Sequence, residues 1–402
     1  MIDKIEEHLQ NYDYDVKKSG NARFMDQKVT PDVLYIVANC ILEYVQEKEI
    51  PKIKFNTKDI WESKYANEEV QNIFNKPDVM SARAKSEYDK FFAQPLKMLE
   101  YSKILTLTKK GNRNIFNINN LEILEYIAIR ERNSLLFLTK YLEKVLRDSQ
   151  LWELFDTFYT TSTRTNFDNL KDGFRDFLYK YTRINKTNKY EPGRIFTKII
   201  NPLAYSKKSL GTKGGFLSKD IIGFGELMYN RKNWRDITKL KGETRQDYET
   251  RAKNLIQKRK SAYSKFSIQQ AKKLIKKRYD KVSEVQDELA VGDATQVHHI
   301  FPKNEFPNIE TFVENLILLT ATQHSTKAHP NNNTRRIDKA YQYICLLSKC
   351  STIEQSVEVL KDGFYSKEDF TFVLNTGIET DEYYEDLTFE DIRTNLTRFY
   401  HN

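Results

Sequence analysis

The chain has 402 residues, of which 39% are hydrophobic, 13% aromatic and 30% charged. This composition predicts folded cores rather than a disordered chain, and the length predicts more than one domain. No apolar run approaches the roughly 20 residues of a membrane helix. The first residues are polar, and the three cysteines form no Cys-x-x-Cys pair. These features favour a cytoplasmic protein over a membrane or secreted one.

The charge is unevenly distributed along the chain. The formal net charge is +9, but residues 351–402 carry twelve acidic and four basic side chains, a local balance of −8, so residues 1–350 carry +17. The positive charge of residues 1–350 favours binding of a polyanion such as nucleic acid, whereas the negative charge of residues 351–402 repels one. A protein whose charged residues are simply solvated can have the same charge balance, so charge alone leaves nucleic-acid binding open.

Residues 1–130 are predicted to form helices followed by a β-hairpin. Helical spacing covers 31–48, 58–72 and 81–101, the last with a bend near its internal proline. Two strand-like runs, 104–107 and 115–118, flank a basic turn. This is the layout of a winged helix, in which a helix enters the major groove and the hairpin contacts phosphates. A helical domain with a surface hairpin is the alternative. The candidate DNA contacts in the turn are Lys109, Lys110 and Arg113.

Residues 131–255 are predicted to form a central helical and loop-rich region that contacts DNA. Helical spacing continues to residue 160, and beyond it glycines cluster while basic residues alternate with aromatic ones. Such side chains reach phosphates or stack on bases, and they are also common on plain surfaces. Residues 245–288 are predicted to be a strongly basic helix, either simply solvated or following a DNA backbone. The candidate contacts in these segments are Lys213, Arg231, Lys232, Arg235, Lys272 and Lys276.

Four of the six histidines lie between His298 and His329. Neutral imidazole is the commonest metal ligand in proteins and a base that works near neutral pH, so the cluster points to chemistry. Residues 296–301 and 315–320 are strand-like, and 321–328 can form a short helix before a proline. The predicted order is therefore strand, loop, strand, helix. Adjacent strand residues point to opposite faces, so His298 can bind a metal while His299 acts on water.

The motifs V-H-H-I-F-P-K, N-L-I-L-L-T, Q-H and A-H-P-N-N-N of this region resemble the ββα-metal module of HNH nucleases. The resemblance implies a nuclease domain over residues 256–350. It also implies that His298 and His324 are metal ligands, that His299 is the general base, and that Asn315 holds the loop and the orientation of His299. The extended run looks closest to type II restriction endonucleases, type IIS members included.

The spacing of the last histidine departs from that pattern. In many such nucleases a second helix ligand follows the first by four residues, but Ala328 occupies this position and His329 comes five residues after His324. On an ideal α-helix a five-residue step rotates the side chain by roughly 140°. Pro330 disfavours helical geometry at the preceding residue, which could redirect His329. His329 is therefore predicted to be a metal ligand or a phosphate contact.

These observations predict an α+β, mainly helical protein that ends in an acidic segment, 351–402. The predicted function is sequence-specific cleavage of double-stranded DNA with Mg²⁺, or Mn²⁺ as a substitute. Zn²⁺ or Ni²⁺ would bind the same ligands more tightly. A restriction enzyme implies a cognate DNA methyltransferase, and cutting both strands could involve a homodimer. The alternatives are a nonspecific or homing-type HNH nuclease, and a non-catalytic DNA-binding protein with a structural metal.

Overall fold

The structure is a computed structural model that describes residues 1–47, 54–81, 84–188, 190–229, 239–329 and 337–401. The described chain is α+β and mainly helical, with small antiparallel sheets, which confirms the predicted class. It divides into two compact units, Ile2–Lys260 and Ser261–Asn402, the second with Met1. The finer division at residues 130, 255 and 350 stays a prediction. Within the described ranges, no helix has both the length and the apolar character to cross a membrane.

The Ile2–Lys260 unit is largely helical. Its helices are α1 (Ile2–Gln10), α2 (Val16–Ser19), α3 (Pro31–Glu47), α4 (Thr57–Trp61), α5 (Lys64–Phe74), α6 (Ala84–Tyr101), α7 (Leu121–Ile127), α8 (Glu131–Asp148), α9 (Trp152–Thr160), α10 (Arg164–Tyr181), α11 (Glu191–Ser206) and α12 (Phe224–Leu227), with a short 3₁₀ turn over Ala22–Phe24. Its strands are β1 (Leu105–Lys110), β2 (Arg113–Ile118), β3 (Leu210–Lys213) and β4 (Phe216–Ile221). A long helix, α13 (Arg245–Tyr279), continues into the other unit.

Helix α3 forms the centre of this unit. Its residues from Pro31 to Ile41 are buried on every side, as expected of a helix that is apolar all round. It packs against α6, α7 and α8. The predicted helix over 31–48 is therefore confirmed, whereas the one over 58–72 is wrong in one respect. It is two helices, α4 and α5, because the Ser63 hydroxyl accepts a hydrogen bond from the Ala66 amide and starts a new helix there.

The β1–β2 hairpin is tighter than the sequence suggested. Lys110 pairs with Arg113, so the turn contains only Gly111 and Asn112, and Gly111 has a φ of 60°, which suits the first central position of a two-residue turn. The predicted basic turn is therefore wrong in its extent, since Lys109, Lys110 and Arg113 belong to the strands instead. Phe55 forms an isolated bridge to this hairpin: its N–H donates to the carbonyl of Phe116 at 3.0 Å, and its carbonyl accepts from the N–H of Phe116 at 2.7 Å.

The segment from 164 to 206 is more regular than predicted. The helices α10 and α11 fill most of it, because Phe167, Leu170 and Phe174 recur at helical spacing and are buried. The β3–β4 hairpin follows, and Asn201 on α11 holds it by bonding both the N–H and the carbonyl of Thr212, at 2.8 and 3.0 Å.

The Ser261–Asn402 unit contains one two-stranded sheet surrounded by helices. Its strands are β5 (Ala294–His299) and β6 (Leu316–Thr320), its α-helices after α13 are α14 (Lys339–Glu354), α15 (Lys367–Ile378) and α16 (Phe389–His401), and π-helical turns cover Gln323–Ala328 and Gln355–Leu360. β5 and β6 are antiparallel, and His298 lies opposite Ile317. Every residue of β6 is buried, so this strand is the centre of the unit.

The acidic segment 351–402 packs into this unit. Helix α16 lies against α14 and buries Phe389, Ile392 and Leu396. In α15 a Cβ atom on residue 377 would clash with the ring of Phe301, so only the glycine at this position lets the ring lie directly on the helix backbone. The loop that follows β5 is therefore supported by the acidic segment.

A candidate three-histidine metal centre

His298 and His299 end strand β5 and have different surroundings. His298 is 5% exposed and faces the π-helical turn, whereas His299 is partly buried and bonds the loop that precedes β6. This separation follows from the alternation of side chains along a strand. Two consecutive residues can therefore take two different chemical roles.

Three histidines converge on one point. One ring nitrogen from each of His298, His324 and His329 lies within 4.8 Å of the others. The ring centroids are 4.8–5.3 Å apart and the rings are nearly perpendicular to one another. Within the described residues no carboxylate or thiol joins this group. The structure thus brings together the three residues that the sequence singled out as metal ligands.

A π-helical turn makes this convergence possible. The N–H of His329 donates to the carbonyl of His324 at 3.1 Å, an i→i+5 bond that closes a wider turn than the i→i+4 bond of an α-helix. Residues five apart then lie on one face. The expected 140° rotation between the two side chains does not arise, because it presumed α-helical geometry. Single π turns are rare and occur frequently at functional sites.

His298 and His324 have the properties of metal ligands. Burial, together with the neighbouring histidines, lowers the pKa of His298 well below its usual value, and burial also lowers the pKa of His324. Both rings are neutral near pH 7 and present lone pairs. Nε2 of His298 is buried and has no hydrogen-bond partner among the described residues, an arrangement that costs free energy unless a ligand satisfies it. A divalent ion fits this donor set.

His299 is held so that one particular nitrogen is free. Its Nε2 lies 3.0 Å from the backbone carbonyl oxygen of Glu310. A carbonyl can only accept, so Nε2 carries the hydrogen and donates, and Nδ1 keeps the lone pair. Burial lowers the pKa of His299 to about 4. The ring is therefore neutral near pH 7, and its Nδ1 can accept a proton.

Asn315 fastens the loop that contains this carbonyl. The side chain is fully buried. Its oxygen accepts from the N–H of Phe301 at 2.8 Å, and its amide donates to the carbonyls of Phe301 and Ile309 at 3.1 and 3.3 Å. Ile309 directly precedes Glu310, so Asn315 fixes the group that orients His299. The scaffolding position suggested for Asn315 matches this geometry.

Gln323 is a supporting residue that the sequence analysis missed. Its N–H donates to the Thr320 hydroxyl while its side-chain oxygen accepts from the Thr320 N–H, the reciprocal pair of a capping box. The side-chain amide also donates to Val285 and Asp287. These bonds fix the start of the helical turn one residue before His324. The signal was present as T-x-x-Q at the end of β6.

A buried ion pair beneath β6 was also missed. Lys349 on α14 bonds Glu284, and both side chains are 0% exposed. The other carboxylate oxygen of Glu284 accepts from the N–H of Leu318 at 2.8 Å. The pair therefore joins α14 to the strand that lies opposite His298. Nothing in the sequence distinguished these two residues from solvated charges.

The predicted DNA contacts lie on different elements. Lys109, Lys110 and Arg113 are exposed at the end of the β1–β2 hairpin. Lys213 is exposed and pairs with Glu226 at 3.1 Å. Lys272 is half-buried on α13, near the histidines, and Lys276 is exposed on the same helix. The remaining three, Arg231, Lys232 and Arg235, lie outside the described residues.

Comparison of the chain with protein-family models, with curated proteins and with solved structures gave no match in any of the three.

Removing one histidine of the cluster is expected to weaken metal binding. We expect the wild-type protein to bind one Zn²⁺ per chain, and His329→Ala to weaken binding by at least about 100-fold, because loss of an outer-shell partner alone costs 10- to 100-fold. Competition with a chromophoric chelator measures this. His401→Ala is the control, because His401 is exposed on α16, and it should bind like wild type. Equal affinities for the two variants would contradict a three-histidine site.

Proposed function

We propose that this protein is a metal-dependent endonuclease that hydrolyses phosphodiester bonds of double-stranded DNA. The observation that carries the proposal is that His298 and His299, which are adjacent at the end of β5, have different surroundings. Three imidazoles converge on one point, and the adjacent His299 presents a free Nδ1 on a ring that the Glu310 carbonyl holds. A site that only held a structural metal would have no use for a separately oriented base.

The chain's own residues supply the proton chemistry. A water molecule beside Nδ1 of His299 gives its proton to that nitrogen as its oxygen attacks phosphorus, and the bond from phosphorus to the 3′ oxygen breaks. The Glu310 carbonyl stabilises the imidazolium that forms, because it accepts a hydrogen bond from Nε2. A divalent ion held by His298, His324 and His329 would neutralise charge on the phosphate and on the leaving oxygen.

The identity of the ion is a separate proposal. Mg²⁺, with Mn²⁺ as a substitute, is the predicted cofactor of the cleavage reaction. Mg²⁺ prefers oxygen ligands, whereas imidazole suits Zn²⁺, Ni²⁺ and similar ions. Within the described residues the cluster offers three nitrogens, so we expect Zn²⁺ or Ni²⁺ to bind more tightly than Mg²⁺ at equilibrium.

The N-terminal region is proposed to read the DNA sequence. The order of α3, the bridged residue Phe55, α4, α5, α6 and the β1–β2 hairpin resembles that of a winged helix and supports this proposal. In such a domain α6 would enter the major groove, and Lys109, Lys110 and Arg113 would contact phosphates. A reading region joined to a cutting site is the arrangement of a type II restriction enzyme, type IIS included. That assignment would bring with it a cognate methyltransferase and could involve a homodimer.

A plasmid digest tests the proposed function. Incubation with Mg²⁺, Mn²⁺, Zn²⁺ or Ni²⁺ should give discrete fragments with at least one of these ions, and a chelator should abolish them. Mapping the fragment ends then gives the recognition sequence and the cut offset. A smear of fragments would instead indicate a nonspecific nuclease. Intact plasmid with every ion, under conditions where Zn²⁺ is bound, would favour a structural metal.

A further inference from the structure

Helix α13 carries a lysine into the neighbourhood of the three-histidine centre. The Ser264 hydroxyl donates to the side-chain carboxylate of Glu310, so this helix is fixed beside the loop whose carbonyl holds His299. Two turns further along α13, Ala271 and Ile275 are buried in the unit. Lys272 lies between these two positions and is half-buried. The backbone position of Lys272 is therefore fixed by the packing of its helix.

Lys272 has no anionic partner within the part of the chain that the structure describes. No described carboxylate lies within ion-pair distance of it, whereas Lys349 pairs with Glu284 and Lys281 pairs with Asp293. Withdrawing an ammonium group from water without a counter-charge costs free energy. The unit tolerates that cost at Lys272, and an external anion would offset it.

The surroundings of Lys272 are positive or neutral. Burial, and next the charges of Lys303 and Lys276, lower the pKa of Lys272. Burial is the main cause of the lowered pKa values of His298, His299 and His324, and the nearby charge of Lys272 contributes to all three. The charge of Lys272 therefore acts on His299, on His298 and on His324 at once, while the bond from Ser264 to Glu310 fixes its helix beside the loop that holds His299.

We propose that Lys272 binds the phosphodiester group that is cleaved, holding a nonbridging oxygen between the three-histidine centre and His299. This inference rests on the proposed nuclease function and gives Lys272 a role distinct from that of a general backbone contact. Because imidazole binds a metal as an uncharged ligand, three such ligands leave the charge of an ion uncompensated, and an anionic substrate balances the site. Lys272 adds a positive charge that belongs to the chain itself. This charge stabilises the extra negative charge that develops on the phosphate in the transition state.

Lys272→Met is the decisive variant. We expect the single-turnover rate of DNA cleavage to fall by about 10²- to 10³-fold, as for removal of one preorganised charge-stabilising donor. The slope of log affinity against log salt should decrease by about 1, the value for one lost phosphate contact. Lys272→Arg should retain most of the rate. Zn²⁺ affinity should be no weaker than in wild type, because a positive charge has been removed. Weaker Zn²⁺ binding would overturn the proposal, since it would mean that Lys272 only supports the fold of the site.

Lys265→Met is the matched control, because Lys265 is an exposed lysine on the same helix. Its cleavage rate should equal that of wild type. If wild type cuts and Lys272→Met cuts equally fast, Lys272 has no such role and the nuclease proposal stands. If wild type does not cut, binding of a thymidine dinucleotide to the Zn²⁺-loaded protein decides. Weaker binding by Lys272→Met than by Lys265→Met supports an anion site at Lys272, and equal binding overturns it.

Discussion

His299→Ala is expected to lower the single-turnover rate of DNA cleavage by about 10²- to 10⁴-fold, the usual contribution of a general base. The reason is geometric. Among the described residues near the metal centre, His299 is the ring whose Nδ1 is left free while Nε2 is tied to the Glu310 carbonyl. Alanine removes the proton acceptor and leaves the rings of His298, His324 and His329 in place. Rapid-quench assays with a defined duplex measure the rate.

Zn²⁺ affinity and DNA affinity should both persist in His299→Ala. These two measurements separate the possible roles of the residue. Loss of Zn²⁺ binding would make His299 a fourth ligand and would favour a structural metal site. Cleavage at the wild-type rate would mean that another group activates water. His401→Ala serves again as the matched control, because it removes an imidazole far along the sequence from β5 and should change none of the three measurements.

The local elements of the candidate site could be predicted because their signals are local. Strand-like runs around His298 and Leu316 gave β5 and β6 to within two residues, since the apolar pattern and the flanking turns are contiguous in sequence. Helix α3 was predictable for the same reason. The helices of the segment 164–206 were not predicted, because charged residues are interspersed among the apolar positions of α10.

The geometry at His329 could not be obtained by counting residues. Rotation per residue is a property of the helix type, and the sequence contains no strong marker of a π turn. The capping box formed by Thr320 and Gln323 predicts where the helical turn begins, but it does not predict that the hydrogen bonds shift to i→i+5. The five-residue spacing departs from the ligand pattern, yet the π turn brings His329 beside His298 and His324.

The support of the site depends on contacts between residues far apart in sequence. Glu284 and Lys349 are separated by 65 residues, and charged side chains are seldom fully buried, so sequence alone gave no reason to pair them. The same holds for Gly377 and Phe301, whose close approach becomes visible only once α15 is placed. These contacts explain why the acidic segment belongs to the unit that carries the histidines.

Lys349→Met is expected to lower the stability of the Ser261–Asn402 unit by about 3–5 kcal/mol, because it leaves the Glu284 carboxylate buried without its partner. For a unit of this size the midpoint of thermal unfolding should fall by about 10 °C or more. Burial lowers the pKa of Lys349, but the bonds from its ammonium group to Glu284 and to the Tyr365 hydroxyl favour the charged form. Thermal unfolding of the full chain followed by circular dichroism measures the change.

The double variant Glu284→Gln with Lys349→Met distinguishes a lost charge partner from lost packing. Glutamine can still accept the N–H of Leu318, and it removes the uncompensated charge, so more than half of the lost stability should return. Lys281→Met is the control, because the Lys281–Asp293 pair is exposed and exposed pairs contribute little. A small effect of Lys349→Met would show that the pair does not hold β6. A large effect that the double variant leaves unchanged would assign the loss to packing around α14. Recovery of stability in the double variant would instead show that the burial of β6, the strand opposite His298, depends on the charge balance between Glu284 and Lys349.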